Sequence, residues 1–306
     1  MLSDVRLQGL IAAPFTPFDA DGDLKLSVIE RQAEHLVSRG VGGAFVCGTT
    51  GEGPSMTTQE RMDVSSRWTQ VAREKLTIIV HVGHASQRDA MALAAHAASI
   101  GAHAVSAMAP FFFKPANVEQ TVAFMLPIAA AAESLPFYYY HIPSMTGVNI
   151  TIADLVDAAL QQIPNFKGVK YTHGDLMDFA RCQQKLAGRG EVAWGLDELL
   201  LSALVVGAQA AVGSTYNYAS PLYLKMIEAF NAQDLTTARM CSQTAAEMVA
   251  VLLKYGVLRT GKAAMALAGV DCGPPRAPVS PLSTQERDEV AAAFERIGTV
   301  RSNSRQ

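Results

Sequence analysis

Cysteine is scarce in this sequence. The 306 residues contain four cysteines, at positions 47, 182, 241 and 272, and no two of them form a CxxC pair. A chain of this length can bury a large core without disulfides, so the small disulfide-rich class is excluded. The wide spacing also does not match a zinc site. We therefore expect Cys47, Cys182, Cys241 and Cys272 to be buried, reduced thiols.

The sequence also lacks an excess of positive charge and any long apolar run. It has 25 Lys and Arg against 28 Asp and Glu, a net charge of −3. This balance provides no basic surface typical of nucleic-acid binding. Charge, proline or glycine interrupts every apolar stretch before it reaches the length of a membrane span, and residues 1–9 lack the apolar segment of a signal peptide. We expect a cytoplasmic protein with no nucleic-acid and no membrane partner.

Short β-branched and aromatic runs alternate with longer stretches of helical periodicity. Eight such runs are candidate strands: Leu10–Thr16, Gly43–Cys47, Thr77–Val82, Ala104–Ala107, Phe137–Tyr140, Phe166–Lys170, Val192–Gly195 and Ala210–Gly213. Eight strand–helix units in succession predict an α/β protein with a (β/α)8 TIM barrel. The absence of a GxGxxG motif after the first strand disfavours a dinucleotide-binding fold.

Beyond Ser220 the strand pattern stops and four helical stretches follow. These are Pro221–Asn231, Leu235–Tyr255, Val257–Ala268 and Thr284–Ile297. The sequence thus predicts a catalytic barrel over residues 1–225 and a C-terminal helical appendage over residues 226–306.

The sixth candidate strand carries a lysine that could act as a nucleophile. Alternation along the strand places Phe166, Gly168 and Lys170 on one face, and the apolar or small partners predict that Lys170 points into the barrel. Burial disfavours an ammonium and lowers the pKa of a lysine, and a neutral amine can form a Schiff base with a ketone. The alternative is a lysine that reaches from the strand end into solvent.

Two further strand ends carry polar groups at positions where barrel enzymes place their active sites. Tyr140 shares a face of the fifth strand with Tyr138, while Tyr139 points the other way; a phenol beside an imine-forming lysine can shuttle protons. The alternative is a packed strand with satisfied hydroxyls. The Gly48–Gly53 turn holds Thr49 and Thr50, whose hydroxyls and N–H groups can bind a carboxylate.

These motifs occur together and in order at the predicted strand ends. They comprise Gly48–Glu52, Tyr140–Pro143, Gly168–Lys170 and Gly213–Thr215. The set resembles the N-acetylneuraminate lyase / dihydrodipicolinate synthase superfamily of class I aldolases. The resemblance implies that Lys170 forms a Schiff base with pyruvate or another 2-oxo acid, that Tyr140 transfers protons, and that Thr49 and Thr50 bind the substrate carboxylate. It also implies a homotetramer, a dimer of dimers, that needs no cofactor and no metal.

The details are more similar to the N-acetylneuraminate lyase branch. The synthase branch usually carries an arginine shortly after the strand-five tyrosine, and residues 144–147 contain none. A pair of carboxylates suits a polyhydroxylated sugar acid, because carboxylates accept hydrogen bonds from hydroxyls. A second interpretation, compatible with the first, is that Asp197 and Glu198 are acids at the start of the next helix. The lyase-like motifs add five substrate-binding candidates: Thr172, Gly195, Asp197, Glu198 and Ser214.

Two positions depart from the family pattern. Phe112 stands where a second tyrosine is expected after the fourth strand, and His141 replaces a common asparagine. The natural substrate therefore stays open between an N-acetylneuraminate-like sugar acid, the dihydrodipicolinate synthase substrates, and another 2-keto-3-deoxy sugar acid cleaved or dehydrated by the same chemistry. A protein that binds 2-oxo acids without catalysis is a further alternative. Phe111–Phe113 is interpreted either as a dimer contact or as packing beneath the next helix.

A metal-dependent aldolase is a separate hypothesis. His81, His84, His103 and His141 lie at or near predicted strand ends, and histidine is the commonest metal ligand. No acidic residue completes a convincing triad with them, which favours core histidines.

Overall fold

A computed structural model describes residues 5–300. Within this range, eight parallel strands pair in chain order, and the last pairs with the first to close a barrel. The strands are β1 (Gly9–Ala12), β2 (Gly43–Val46), β3 (Thr77–His81), β4 (Ala104–Met108), β5 (Phe137–His141), β6 (Phe166–Tyr171), β7 (Glu191–Trp194) and β8 (Ala210–Gly213). The predicted (β/α)8 barrel with additional C-terminal helices is confirmed.

Helices cover the outside of the barrel and form the C-terminal part. They are α1 (Val28–Ser38), α2 (Thr58–Ala72), α3 (Gln87–Ser99), α4 (Val118–Ala130), α5 (Pro143–Thr146), α6 (Ile152–Gln162), α7 (Leu176–Leu186), α8 (Leu200–Val205), α9 (Tyr216–Asn231), α10 (Leu235–Tyr255), α11 (Val257–Leu267) and α12 (Thr284–Ile297). Short 3-10 turns occupy Gly53–Ser55 and Asp197–Leu199. Local sequence sets several helix starts: at α2, Thr57 and Glu60 form a reciprocal capping box.

Some element boundaries differ from the predictions. β1 ends at Ala12 instead of continuing to Thr16, and Pro14, which has no N–H to donate, lies two residues further on. The helix predicted to begin at Pro221 begins earlier, at Tyr216, with a kink at Ala219 just before the proline. Since α9 spans Tyr216–Asn231, the boundary predicted between residues 225 and 226 falls inside a helix. The division into barrel and appendage stays a prediction.

The barrel has an inner and an outer apolar layer. Tyr138 and Tyr140 belong to the inner layer and Tyr139 to the outer one, as alternation predicted. The prediction that Phe166 shares the inward face with Lys170 is wrong, because Phe166 packs in the outer layer. A register shift between β5 and β6 is the cause: Phe137 pairs with Phe166, but the next residue of β5 pairs with Gly168. The extra residue of this β-bulge reverses the alternation.

Gly168 directly follows the extra residue of the bulge and packs closely against β7. Gly168 has φ 152°, and a Cβ there would overlap the carbonyl oxygen of Glu191 on β7. A side chain at this position would therefore separate β6 from β7. The glycine keeps the two strands paired just before the strand reaches Lys170.

The four cysteines are buried and unpaired, as predicted. No helix among residues 5–300 combines the length and the apolar character that crossing a membrane requires.

Candidate active site

A cavity of about 190 Å³ opens at the carboxyl ends of the barrel strands. Every residue that the sequence predicted for the site lines it. These nine residues are Thr49, Thr50, Tyr140, Lys170, Thr172, Gly195, Asp197, Glu198 and Ser214. They come from the ends of five strands and the turns that follow, and barrel closure brings them together.

Lys170 lies at the buried end of this cavity. Its side chain points inward and only 5% of the residue is exposed, so the alternative of a lysine extended into solvent is wrong. The Nζ atom lies 4.0 Å from the centroids of the Phe45 and Tyr140 rings. Burial lowers the pKa of Lys170 to about 7, against a smaller opposing effect of the Asp197 carboxylate. A substantial share of the amine is therefore neutral, and nucleophilic, near neutral pH.

Tyr140 presents its hydroxyl beside the same cavity. Its Oη atom lies 3.3 Å from Thr49 Oγ1, within hydrogen-bond distance. Burial raises the pKa of Tyr140 to about 12, and the Thr49 contact lowers it only in part. The residue is thus a protonated phenol at neutral pH, which can donate one proton while it accepts another.

The turn that carries Thr49 and Thr50 is fixed by internal hydrogen bonds. Glu52 N donates to Thr49 O at 3.1 Å, and Thr16 Oγ1 donates to Gly51 O at 2.6 Å. A Cβ at Gly51 would lie 3.1 Å from Pro14 O, so the turn packs closely against the end of β1. This packing leaves the threonines partly exposed to the cavity.

Asp197 is a buried carboxylate that lines the cavity from the β7 side. Its Oδ2 atom accepts hydrogen bonds from Thr215 N at 2.9 Å and from Thr215 Oγ1 at 2.7 Å. Burial raises the pKa of Asp197 to about 6, although the bonds from Thr215 lower it. The carboxylate therefore anchors the start of α9. Asp197 and Glu198 also form the first turn of the 3-10 helix Asp197–Leu199 before α8, so the helix-start interpretation is compatible with their position in the cavity lining.

Two glycines make room for the polar groups. A Cβ at Gly195 would overlap Thr172 Oγ1, and a Cβ at Gly213 would overlap the Asp197 carboxylate. The smallest side chain is therefore required at both positions if Thr172 and Asp197 are to keep their places.

Sequence reasoning missed two groups of residues. Phe45, which faces inward from β2 beneath Lys170, could have been found from the alternation along that strand. The helical tail supplies an apolar wall that no local pattern predicts, because α10 and α11 reach the cavity only through packing against the barrel. Val249, Leu252, Leu253 and Val257 form this wall.

The four histidines of the metal-site hypothesis do not form a common metal site. The His81 ring packs inside the barrel against Phe45 and Tyr140. His103 accepts a hydrogen bond from Ile78 N, and His84 accepts one from Ser86 N. The ring of His141 stacks in another layer, with Tyr139 and Tyr171. Across residues 5–300, no three His, Cys, Asp or Glu side chains are grouped as metal ligands.

The aromatic segment Phe111–Phe113 lies outside the core. Phe112 is 75% and Phe113 86% exposed, and their rings contact each other edge to face. The interpretation of this segment as packing beneath the next helix is therefore wrong.

Comparison with known proteins identifies relatives of this chain in sequence and in fold. The Dihydrodipicolinate synthetase family matches residues 6–297. The N-acetylneuraminate lyase of Homo sapiens is 42% identical over 298 residues, which cover 95% of this chain and 93% of that protein. The N-acetylneuraminate lyase of Proteus mirabilis superposes with a TM-score of 0.94 at 41% identity, covering 97% of this chain and 100% of that one.

A structure of a Ruminococcus gnavus sialic acid aldolase, described as a catalytic lysine mutant, superposes with a TM-score of 0.91 at 28% identity. It covers 97% of this chain and 98% of its own. The predicted resemblance is confirmed, both for the family and for the greater similarity to N-acetylneuraminate lyases. This chain belongs to the dihydrodipicolinate synthetase family.

Proposed function

We propose that this protein is a class I lyase in which Lys170 forms a Schiff base with a 2-oxo acid and which reversibly cleaves an N-acetylneuraminate-like sugar acid. The observation that carries the proposal is the position of Lys170, buried at the end of the cavity with a pKa of about 7. The names of the relatives supply the substrate class.

The first step belongs to Lys170. Its neutral amine attacks the keto carbon of the substrate, and loss of water from the carbinolamine leaves an imine. The hydroxyl on the carbon β to the imine then loses its proton and the α–β bond breaks. The electron pair of that bond moves toward the nitrogen of the protonated imine, which yields a neutral enamine and frees the aldehyde. Protonation of the α carbon and hydrolysis of the imine release pyruvate and the amine.

Tyr140 carries the proton between these steps. The phenol is protonated at neutral pH because burial raises its pKa to about 12. It can therefore accept the proton of the β hydroxyl while its own proton passes through Thr49 Oγ1 to the bound substrate carboxylate, and the reverse transfer then delivers a proton to the α carbon. Thr49, 3.3 Å from Tyr140 Oη, keeps the phenol oriented.

The two sides of the cavity would hold the two ends of the substrate. Thr49 and Thr50 offer hydroxyl and N–H groups to the carboxylate. On the other side, Asp197 and Glu198 accept hydrogen bonds from sugar hydroxyls. Thr172, Gly195 and Ser214 complete that side. A negatively charged carboxylate would be repelled from the acidic side, so the charges favour one orientation.

Reductive trapping tests the proposal directly. Borohydride added with pyruvate should give an adduct on Lys170, located by peptide mass spectrometry, and Lys170→Ala should give none. The same preparation should cleave N-acetylneuraminate with release of pyruvate. Intact mass spectra of the folded protein with no pyruvate-dependent gain would contradict the proposal.

The alternative substrates are separate arms of this experiment. Turnover of another 2-keto-3-deoxy sugar acid in place of N-acetylneuraminate would assign the protein a related activity with the same lysine chemistry. An adduct with no turnover of any sugar acid would indicate a 2-oxo acid binder. The dihydrodipicolinate synthase reaction is disfavoured because Ser144–Gly147 contains no arginine to hold a second carboxylate.

We also infer that the protein assembles as a homotetramer, a dimer of dimers, in the cytoplasm. The exposed rings of Phe112 and Phe113 support an interface, since exposed aromatic groups concentrate at protein contacts. Light scattering at micromolar concentration would measure the assembly, and a monomer would contradict it.

A further inference from the structure

The turn that carries Thr49 and Thr50 lies between two residues with left-handed backbone. Cys47 has φ 59° and Glu52 has φ 54°, and neither is a glycine. Residues with a Cβ adopt this conformation only where surrounding contacts hold them there. The contacts of Glu52 therefore help to determine where the two threonines lie.

The Glu52 side chain is buried outside the cavity, on the far side of the turn. The residue is 4% exposed and does not line the cavity. Its Oε1 atom lies 2.8 Å from Lys262 Nζ, and its Oε2 atom accepts a hydrogen bond from Arg276 N at 2.8 Å. The first contact is an ion pair, and the second is a hydrogen bond to a charged acceptor, which is stronger than a bond between neutral groups.

Lys262 joins this turn to two other segments. It lies on α11, is 3% exposed, and donates to Thr16 O at 2.9 Å and to Pro274 O at 2.8 Å. Together with Glu52 Oε1 at 2.8 Å, these two carbonyls place three oxygen atoms around the ammonium. Burial lowers the pKa of Lys262, and the Glu52 carboxylate raises it. The helical tail, the segment after β1 and the threonine turn therefore meet at one ammonium group.

A buried ion pair of this kind adds little net stability, because the cost of removing two charges from water offsets their attraction. The pair does, however, hold the Glu52 side chain in one place relative to α11. We propose that Glu52 and Lys262 are positioning residues whose buried ion pair sets the geometry of the Thr49–Thr50 turn and thereby the affinity for the substrate carboxylate. This inference rests on the proposed function, because it concerns the carboxylate-binding side of the same site.

The test compares two ketones that react with the same amine, that of Lys170. Pyruvate carries a carboxylate, whereas hydroxyacetone has a CH2OH group in its place. The rate of reductive trapping on Lys170 is measured for both ketones in Lys262→Met and Glu52→Gln. The pyruvate-to-hydroxyacetone ratio should fall about tenfold to a hundredfold, the range expected when a binding group is displaced by about 1 Å. Because both rates come from one preparation, the ratio does not depend on the folded fraction.

Two further variants complete the experiment. Glu52→Gln combined with Lys262→Met leaves no unpaired buried charge, so this double variant is expected to fold, and its ratio should fall in the same way. Arg259→Met is the matched control. Arg259 lies on the same helix, α11, and forms an ion pair with Glu286 of α12 rather than with the turn. Its removal should leave the ratio at the wild-type value.

Three outcomes would overturn the inference. An unchanged ratio in the folded double variant would show that the ion pair does not position the turn. An equal fall in Arg259→Met would show a general effect of α11. A wild-type protein that forms no adduct with either ketone would refute the proposed function, and this inference with it. A wild-type protein that forms the adduct, with unchanged ratios in the variants, would refute the positioning role alone.

Discussion

Tyr138 and Tyr140 point into the barrel from the same strand, but their hydroxyls have different partners. Tyr138 Oη donates to the Glu191 carboxylate at 3.0 Å, whereas Tyr140 Oη lies 3.3 Å from Thr49 Oγ1 at the edge of the cavity. Tyr138 does not line the cavity. The two tyrosines thus provide a matched pair in which one phenol faces the proposed chemistry and the other does not.

Replacement of Tyr140 by phenylalanine should separate imine formation from cleavage. Tyr140→Phe keeps the ring beside Lys170 and removes only the hydroxyl, so pyruvate should still be trapped on the lysine. The cleavage rate should fall about 10²- to 10⁴-fold, the usual contribution of a positioned proton-transfer group. Steady-state release of pyruvate and reductive trapping measure the two steps on the same preparation.

Tyr138→Phe is the control for this prediction. It removes a buried hydroxyl from the same face of β5 and leaves the cavity intact, so cleavage should continue at the wild-type rate. Equal losses of activity in both variants would mean that Tyr140→Phe acts through the packing of the barrel interior and not through proton transfer.

The sequence predicted the residues that line the cavity better than it predicted strand pairing and helix packing. Local alternation and motif order placed Lys170, Tyr140 and the threonine turn at the cavity, because each lies at or just after the carboxyl end of its own strand. Alternation failed at Phe166, where a bulge that depends on the neighbouring strand reverses the face. The apolar wall at Leu252 was also missed, since its place at the cavity depends on how α10 packs on residues far away in the chain.

The pH dependence of imine formation should report the environment of Lys170. The neutral amine is the nucleophile, so the rate should fall as the pH drops through about 7, the pKa that burial imposes on Lys170. The Asp197 carboxylate favours the ammonium and raises that pKa. Asp197→Asn removes this charge, so the pKa of Lys170 should fall and the acid limb of the profile should move to lower pH. Initial rates of adduct formation with pyruvate, measured from pH 5 to pH 9, test this direction.

Glu198→Gln provides the comparison for this shift. Glu198 is a second carboxylate on the cavity wall, and it is not among the charges that act on the pKa of Lys170. The midpoint of its profile should therefore stay with that of the wild type. A midpoint that moves to higher pH in Asp197→Asn would contradict the assigned sign of the interaction.

The last prediction concerns the space that Gly195 leaves for Thr172. A Cβ at position 195 would overlap Thr172 Oγ1, so Gly195→Ala must displace that hydroxyl from the cavity wall. Loss of one hydrogen bond of about 1.4 kcal/mol corresponds to about a tenfold rise in KM for the sugar acid. Gly174→Ala is the matched control, because a Cβ at Gly174 meets no atom within 4 Å and its KM should not change. Trapping of pyruvate, which is too short to use the sugar side of the cavity, should be unaffected in both variants. A Gly195→Ala enzyme with wild-type KM would show that Thr172 does not contact the substrate.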